Sequence, residues 1–234
     1  MIKTKLAIFD IDGTLTKTNK IDHVCYINTV QKFIDKSLTT FEAETFTHFT
    51  DSSIIIELYE RFLDRKPTLA EENAFKSYYF QTLEASLENS PHYFQAIEGA
   101  REILHSFSDE WAVALATGCW RESARIKLKG GGVDIGNHPL ATASDAITRQ
   151  DVMRTAVERA KNLHGVEDFE HIVYIGDGMW DKHSCADLKM PFVGIDSENH
   201  ALQTGALGAF HLLANYTDVK GVFELLEQAT APSL

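Results

Sequence analysis

Residues 6–16, Leu6-Ala7-Ile8-Phe9-Asp10-Ile11-Asp12-Gly13-Thr14-Leu15-Thr16, decide how the rest of the chain is read. Four apolar residues run directly into two carboxylates one residue apart and then a glycine, the pattern of a short buried strand entering a loop. Side chains alternate along an extended backbone, so Asp10 and Asp12 leave the strand on the same side. Two like charges aimed at one spot repel unless a cation or a phosphoryl group uses them. The pair marks a candidate reaction centre, with a turn capped by solvated carboxylates as its plain alternative.

The 234 residues can form one large domain or a core with a smaller insert, and their composition is that of a soluble globular protein. No apolar run approaches the roughly 20 residues needed to span a bilayer. Residues 1–5 lead into the strand without a signal-peptide pattern, so a cytoplasmic location is expected. Cys25, Cys119 and Cys185 are widely spaced and form no CxxC pair, which predicts reduced thiols. A formal charge of −12 argues against a nucleic-acid partner and directs attention to a metal and a few local cations. Neither a nucleic acid nor a membrane is expected as a partner; monomer and dimer both stay open.

Residues 20 to 90 carry helical periodicity without strands, as in Val24, Ile27, Val30 and Ile34, then Ile54, Leu58 and Phe62. Breaks are predicted at Lys36 to Thr40 and around Pro67, with Pro91 closing the block. Beyond it, helix and strand alternate. A helix is predicted from Gly99 to Phe107, a strand over Trp111 to Ala116, a helix from Arg121 to Lys129 and a short strand near Leu140 to Ala143. Thr148 with Asp151 opens the next helix, and strands follow at His171 to Ile175 and Phe192 to Ile195, then a last helix over Val219 to Glu227. The expectation is an α/β fold: a doubly wound parallel sheet formed by 1–16 and 97–234, with an all-helical insert at 17–96.

In such sheets ligands bind beyond the carboxyl ends of the strands. Three strands end in polar signatures there: Asp10 and Asp12, Thr117-Gly118, and Asp177 with Asp181. Carboxylates from two strands make a hard oxygen site suited to Mg²⁺. FDIDGTLT, ALATG and YIGDGMWD, in this order and separated by a helical block, resemble the haloacid dehalogenase superfamily across essentially the whole chain. The insert resembles the helical cap of phosphoglycolate phosphatases and β-phosphoglucomutases.

The resemblance implies a Mg²⁺-dependent phosphatase acting on a small phosphorylated metabolite. Asp10 would be the nucleophile that forms an aspartyl-phosphate, and Asp12 the acid and base. The Asp10 side chain, the Asp12 carbonyl and the Asp177 side chain would hold the metal. Thr117 and Gly118 would bind phosphate oxygens, and Asp181 would orient a metal-bound water or a neighbouring cation. A superfamily Lys or Arg near the start of the helix after the third strand corresponds best to Arg149; Arg121 competes for that place. The carboxylate at Asp12 favours phosphate esters, since superfamily dehalogenases lack one there. A phosphomutase shares every core residue, and a non-catalytic binding protein would keep the fold.

Gly130-Gly131-Gly132 follows a helix and lacks a Lys-Ser/Thr, so it reads as a linker and not a phosphate loop. His23 on the first insert helix is the one histidine close enough to the site to consider. The aromatic residues of the insert, Phe46 and Phe75 among them, read as helix-packing core, Cys119 as small filler, and Lys17 and Lys20 as solvated hinge lysines. The insert is expected to move as a lid over the site.

Overall fold

Strand β1 (Lys5–Phe9) sits at the centre of a six-stranded, wholly parallel sheet in the computed structural model, which describes residues 3–41, 45–197 and 211–233. The other strands are β2 (Trp111–Ala116), β3 (Leu140–Ala141), β4 (His171–Gly176), β5 (Phe192–Ile195) and β6 (Leu212–Leu213), in spatial order β3-β2-β1-β4-β5-β6. The doubly wound α/β expectation is met. β6, two residues at the edge of the sheet, was not predicted.

Alternation along β1 explains the two buried faces. Ala7 and Phe9 pack with Leu115, Val173 and Val193, whereas Leu6 and Ile8 pack on the other face with Ala112, Tyr174 and Val152. Neither face meets water, so β1 reads as a continuous apolar run. Phe9 stands in register with Leu115 of β2 and Ile175 of β4. The polar residues one or two places beyond each therefore reach the same sheet edge.

The helical insert contains α1 (Asn19–Phe33), α2 (Asp51–Leu63) and α3 (Leu69–Asn89), and Pro91–Phe94 adds a 3₁₀ turn. The start of α2, with its cap Thr50, lies beyond the break predicted at Lys36 to Thr40. This helix start is tied to loops of the sheet domain: Asp51 N–H donates to the Gly118 carbonyl (2.8 Å), Thr50 Oγ1 to the Ile147 carbonyl (2.6 Å) and Ser52 Oγ to the Ala143 carbonyl (2.7 Å). The Asp51 N–H is one of the first-turn donors that a helix leaves without an internal partner, and the Gly118 carbonyl satisfies it.

The helix expected over Gly99 to Phe107 shrinks to α4 (Ala100–Ile103). His105 and Ser106 N–H donate to carbonyls three residues back, which tightens the chain out of the α-helix. Helix α5 (Arg121–Gly131) runs through Gly130 and Gly131 and ends at Gly132 in the left-handed conformation. The glycine run is thus the last helical turn, not a linker. A Cβ on Gly130 would stand 2.6 Å from Phe94 Cβ, so only glycine lets the helix approach the 3₁₀ turn.

Helices α6 (Arg149–His164), α7 (Met179–Leu188) and α8 (Val219–Gln228) complete the domain. Thr148 caps α6 by accepting from Asp151 N–H, as predicted. The insert shares its core with the sheet domain: Trp120, Ile126 and Ala143 belong to the same apolar cluster as Tyr26, Phe75 and Tyr79. The Trp120 ring stacks on Tyr26 and meets Phe75, Tyr79 and Phe80 edge-on, with centroids 5.8–6.2 Å apart.

Candidate active site

Asp10 leaves β1 and Asp177 leaves β4 into one buried corner, where α7 brings Asp181 from below. One carboxylate oxygen from each of the three residues lies within 4.8 Å of the others. Asp10 Oδ1 and Asp177 Oδ1 are buried and have no hydrogen-bond partner among the described residues. Burial and the Asp181 charge push the Asp10 carboxyl well above the usual range, against the pull of Arg149. The same two causes raise Asp177 to about 8. Three crowded carboxylates with two unsatisfied oxygens fit a divalent cation.

The loop that delivers Asp12 is closed by Gly13. Its backbone has φ +69°, and a Cβ there would overlap Asp177 Oδ2 at 1.8 Å. Asp177 Oδ2 itself accepts from Asn19 at 2.8 Å, tying the first turn of α1 to the corner.

Arg149, the first residue of α6, is buried and lies across the cluster. Its Nη1 is 2.7 Å from Asp181 Oδ1 and 3.9 Å from Asp10 Oδ1, and Nη2 donates to the Phe49 carbonyl at 3.2 Å. Burial opposes its charge, but Asp181 and the neighbouring groups outweigh that and raise its pKa further. A Cβ on Gly118 would come 2.4 Å from Arg149 Nη2, so the guanidinium rests against the Thr117-Gly118 turn. Arg121 is elsewhere, paired with Asp145 at 2.5 Å. Of the two arginines, Arg149 is the one brought to the cluster.

Asp12 also lines the cavity over the cluster, but its carboxylate is engaged by partners of its own. Its Oδ2 accepts from Lys127 Nζ (2.8 Å) and Cys119 Sγ (2.7 Å), and Oδ1 from the Thr18 hydroxyl. Burial would raise its pKa, but the Lys127 charge and these donors outweigh burial and leave it below the ordinary range. Cys119 is more than filler, since its thiol, held protonated by burial, serves as a donor to Asp12.

A cavity of about 260 Å³ opens over the cluster. Asp10, Asp12, Thr117, Gly118, Arg149 and Asp177 form its floor. The insert supplies the roof, including His23, Tyr26, Phe41, Asp51 and Ile54. Phe49 leans on Trp180 of α7 with ring centroids 4.3 Å apart, closing one side. Phe49 holds φ +44°, a left-handed backbone uncommon for an aromatic residue. Lys17 and Lys20 do not line the cavity.

A family model for haloacid dehalogenase-like hydrolases matches residues 7–195, most of the chain and all of these residues. The protein belongs to the haloacid dehalogenase-like hydrolase family. A hydrolase from Pseudomonas syringae shares the haloacid dehalogenase-like fold at 19% identity and TM-score 0.71, over 96% of this chain and 98% of that one. A family hydrolase from Entamoeba histolytica matches at 15% identity and TM-score 0.67, over 95% and 99%. CbbY from Rhodobacter sphaeroides, solved in complex with phosphate, matches at 15% identity and TM-score 0.63, over 97% and 100%. No curated protein matches the chain.

Within this haloacid dehalogenase-like frame, Lys127 is the residue that the motifs do not reveal. A signal existed: Ala124, Lys127, Leu128 and Gly131 follow helical spacing on the buried face of α5, which puts a lysine among core positions. Asn19 and Asp51, which the sequence reading did not single out, also reach the site, from the first turns of α1 and α2. No helix of the described residues is long and apolar enough to cross a membrane.

Proposed function

We propose that this protein is a metal-assisted phosphatase that hydrolyses a small phosphate monoester through phosphorylated Asp10. The observation that carries this reading is the pair of unpartnered buried oxygens on Asp10 and Asp177, facing one another's cluster beside Arg149. Asp10, Asp177 and the Asp12 backbone carbonyl would hold Mg²⁺. Bound there, the ion supplies positive charge against the repulsion between the anionic nucleophile and the phosphoryl oxygens.

The chain's own groups account for the rest. An Asp10 oxygen attacks phosphorus while the bond to the leaving oxygen breaks, and that oxygen takes a proton from the Asp12 carboxyl. Water then attacks phosphorus and gives its proton to Asp12 as the Asp10–phosphorus bond breaks, releasing inorganic phosphate. Arg149 and the Thr117-Gly118 turn hold phosphoryl oxygens, and Asp181 fixes Arg149 by the 2.7 Å pair. Lys127 keeps Asp12 ionised at rest, which suits the second step; the first requires Asp12 to turn from Lys127 and gain a proton.

The phosphate bound to the Rhodobacter relative is consistent with this chemistry. The test is phosphate release from p-nitrophenyl phosphate with and without Mg²⁺. Release that depends on the metal and disappears in Asp10→Asn, with the circular-dichroism spectrum unchanged, is expected; turnover retained by Asp10→Asn would refute the nucleophile. An isomerised sugar phosphate appearing without free phosphate would replace the phosphatase by a mutase.

A further inference from the structure

We infer that the substrate's organic remainder is small, partly apolar and free of any second negative charge, being either an uncharged alcohol or an amine. This rests on the phosphatase reading and names the class of ester that its cavity accepts.

The charges around the cavity are one-sided. Asp10, Asp12, Asp22, Asp51 and Asp177 line it, and Arg149 is its one lysine or arginine among the described residues. Segments 42–44 and 198–210 contain no Lys or Arg in sequence. Arg149 is held by Asp181 and the Phe49 carbonyl at the phosphoryl end, where it is committed to the phosphoryl oxygens. Lys127 is wholly buried between Asp12 and Asp22 and does not line the space. His23 is kept neutral by burial. A carboxylate or a second phosphate in the remainder would thus enter beside acidic groups with no cation to meet it, losing its hydration without replacement.

The roof sets the other half of the class. Phe41, Phe49, Tyr26, Ile54 and Trp180 offer apolar surface. Asp51 has one oxygen bound to the Trp120 amide at 2.8 Å, while its other oxygen accepts no hydrogen bond among the described residues. That free oxygen is available to a hydroxyl or ammonium of the remainder. Burial, acting with the Asp22 charge, pushes Asp51 up to about 8, so the group can donate to a hydroxyl or accept from an amine. About 260 Å³ falls below the roughly 300–1,000 Å³ of sites for drug-sized ligands, which limits the remainder to a few heavy atoms beyond the phosphoryl group.

The experiment measures kcat/KM for phosphate release with Mg²⁺ from four esters: phenyl phosphate, O-phosphoethanolamine, 2-phosphoglycolate and a hexose 1,6-bisphosphate. At least tenfold preference for each of the first two over each of the last two is expected. Asp51→Asn should lower turnover of O-phosphoethanolamine at least fivefold relative to phenyl phosphate. Equal or better turnover of 2-phosphoglycolate or the bisphosphate overturns the inference while leaving the phosphatase reading intact. Should no ester release phosphate, the phosphatase reading fails by itself. The same four compounds are then ranked by thermal shift on Asp10→Asn with Mg²⁺, where stronger stabilisation by the anionic pair overturns the charge selectivity.

Discussion

Lys127 Nζ stands 2.8 Å from Asp12 Oδ2 and 2.5 Å from Asp22 Oδ1, so one wholly buried ammonium joins the reaction loop to the first helix of the insert. A single positive charge serves two carboxylates. Asp12, with Cys119 and Thr18 as further donors, is held below the ordinary range, while burial leaves Asp22 above it despite Lys127 and the Tyr79 hydroxyl. The insert, expected to move as a lid over the site, is joined to the Asp12 loop by a buried ion network and to the sheet domain by Trp120.

Removing that ammonium strands two buried charges. Lys127→Met is expected to lose about 3–5 kcal/mol of stability, because breaking a buried pair leaves its partners uncompensated. Adding Asp22→Asn should recover part of the loss, since only Asp12 then remains unpaired. Urea unfolding of the three proteins measures this, and a loss under about 1 kcal/mol for the single variant contradicts it.

Asp177 makes a prediction with a definite sign. Its folded pKa, about 8, lies above the ordinary carboxylate value, so folding favours the protonated form. In metal-free protein the resulting penalty grows as pH rises from about 4 and is complete above about 8. Asp177→Asn should therefore stabilise chelator-treated protein at pH 8.5 by an amount on the order of 5 kcal/mol, read as a higher Tm, and abolish the stabilisation that Mg²⁺ gives the parent. A lower Tm for the variant in chelator would reverse the sign.

Arg149 is placed for a forked contact, one nitrogen on Asp181 and another on the Phe49 carbonyl. Lysine keeps the charge but not the fork. Arg149→Lys is expected to reduce kcat for an aryl phosphate by about 10²-fold, the scale of losing one aligned donor to a developing anion. Steady-state kinetics with Mg²⁺ decide it; a change confined to KM would mean that Arg149 serves binding alone.

Far from the cavity, Asp145 is held at about 2 against its own burial by hydrogen bonds from Arg159 and Thr142. Stability from a lowered carboxyl is present above its unfolded value near 4 and is lost as pH falls through about 2. Asp145→Asn should cost about 1–2 kcal/mol at pH 7, a figure reduced for the partial exposure of Arg159, and the cost should vanish near pH 2. Thermal unfolding across that range tests it, with unchanged activity at pH 7 as the control.

The sheet and its reactive edge were legible because their signals are local. An apolar run into Asp10-x-Asp12, another into Thr117-Gly118 and a third into Asp177 each announce a buried strand and its polar end, and parallel pairing in register aligns those ends. Arg149 could be placed because Thr148 and Asp151 fix the helix start beside it. Helix α4 was predicted too long and β6 was not predicted, while the equally short β3 was found near Leu140, since elements of this size leave little periodicity to read. The start of α2 at Asp51 escaped because the hydrogen-bond partners of its cap and first turn, Gly118, Ala143 and Ile147, lie far away in the chain.

Sequence alone determined the family, the doubly wound parallel sheet and the residue types that meet at its edge, because covalent spacing and side-chain alternation carry that information. Only the tertiary structure decided how those residues divide their work. Asp10 and Asp177 keep oxygens free, whereas Asp12 turns towards a lysine more than a hundred residues away. The cavity's acidic, nearly cation-free lining is likewise a product of folding. Charge at a site depends on which side chains are brought together and cut off from water, and distant pairings of that kind leave no local pattern to read.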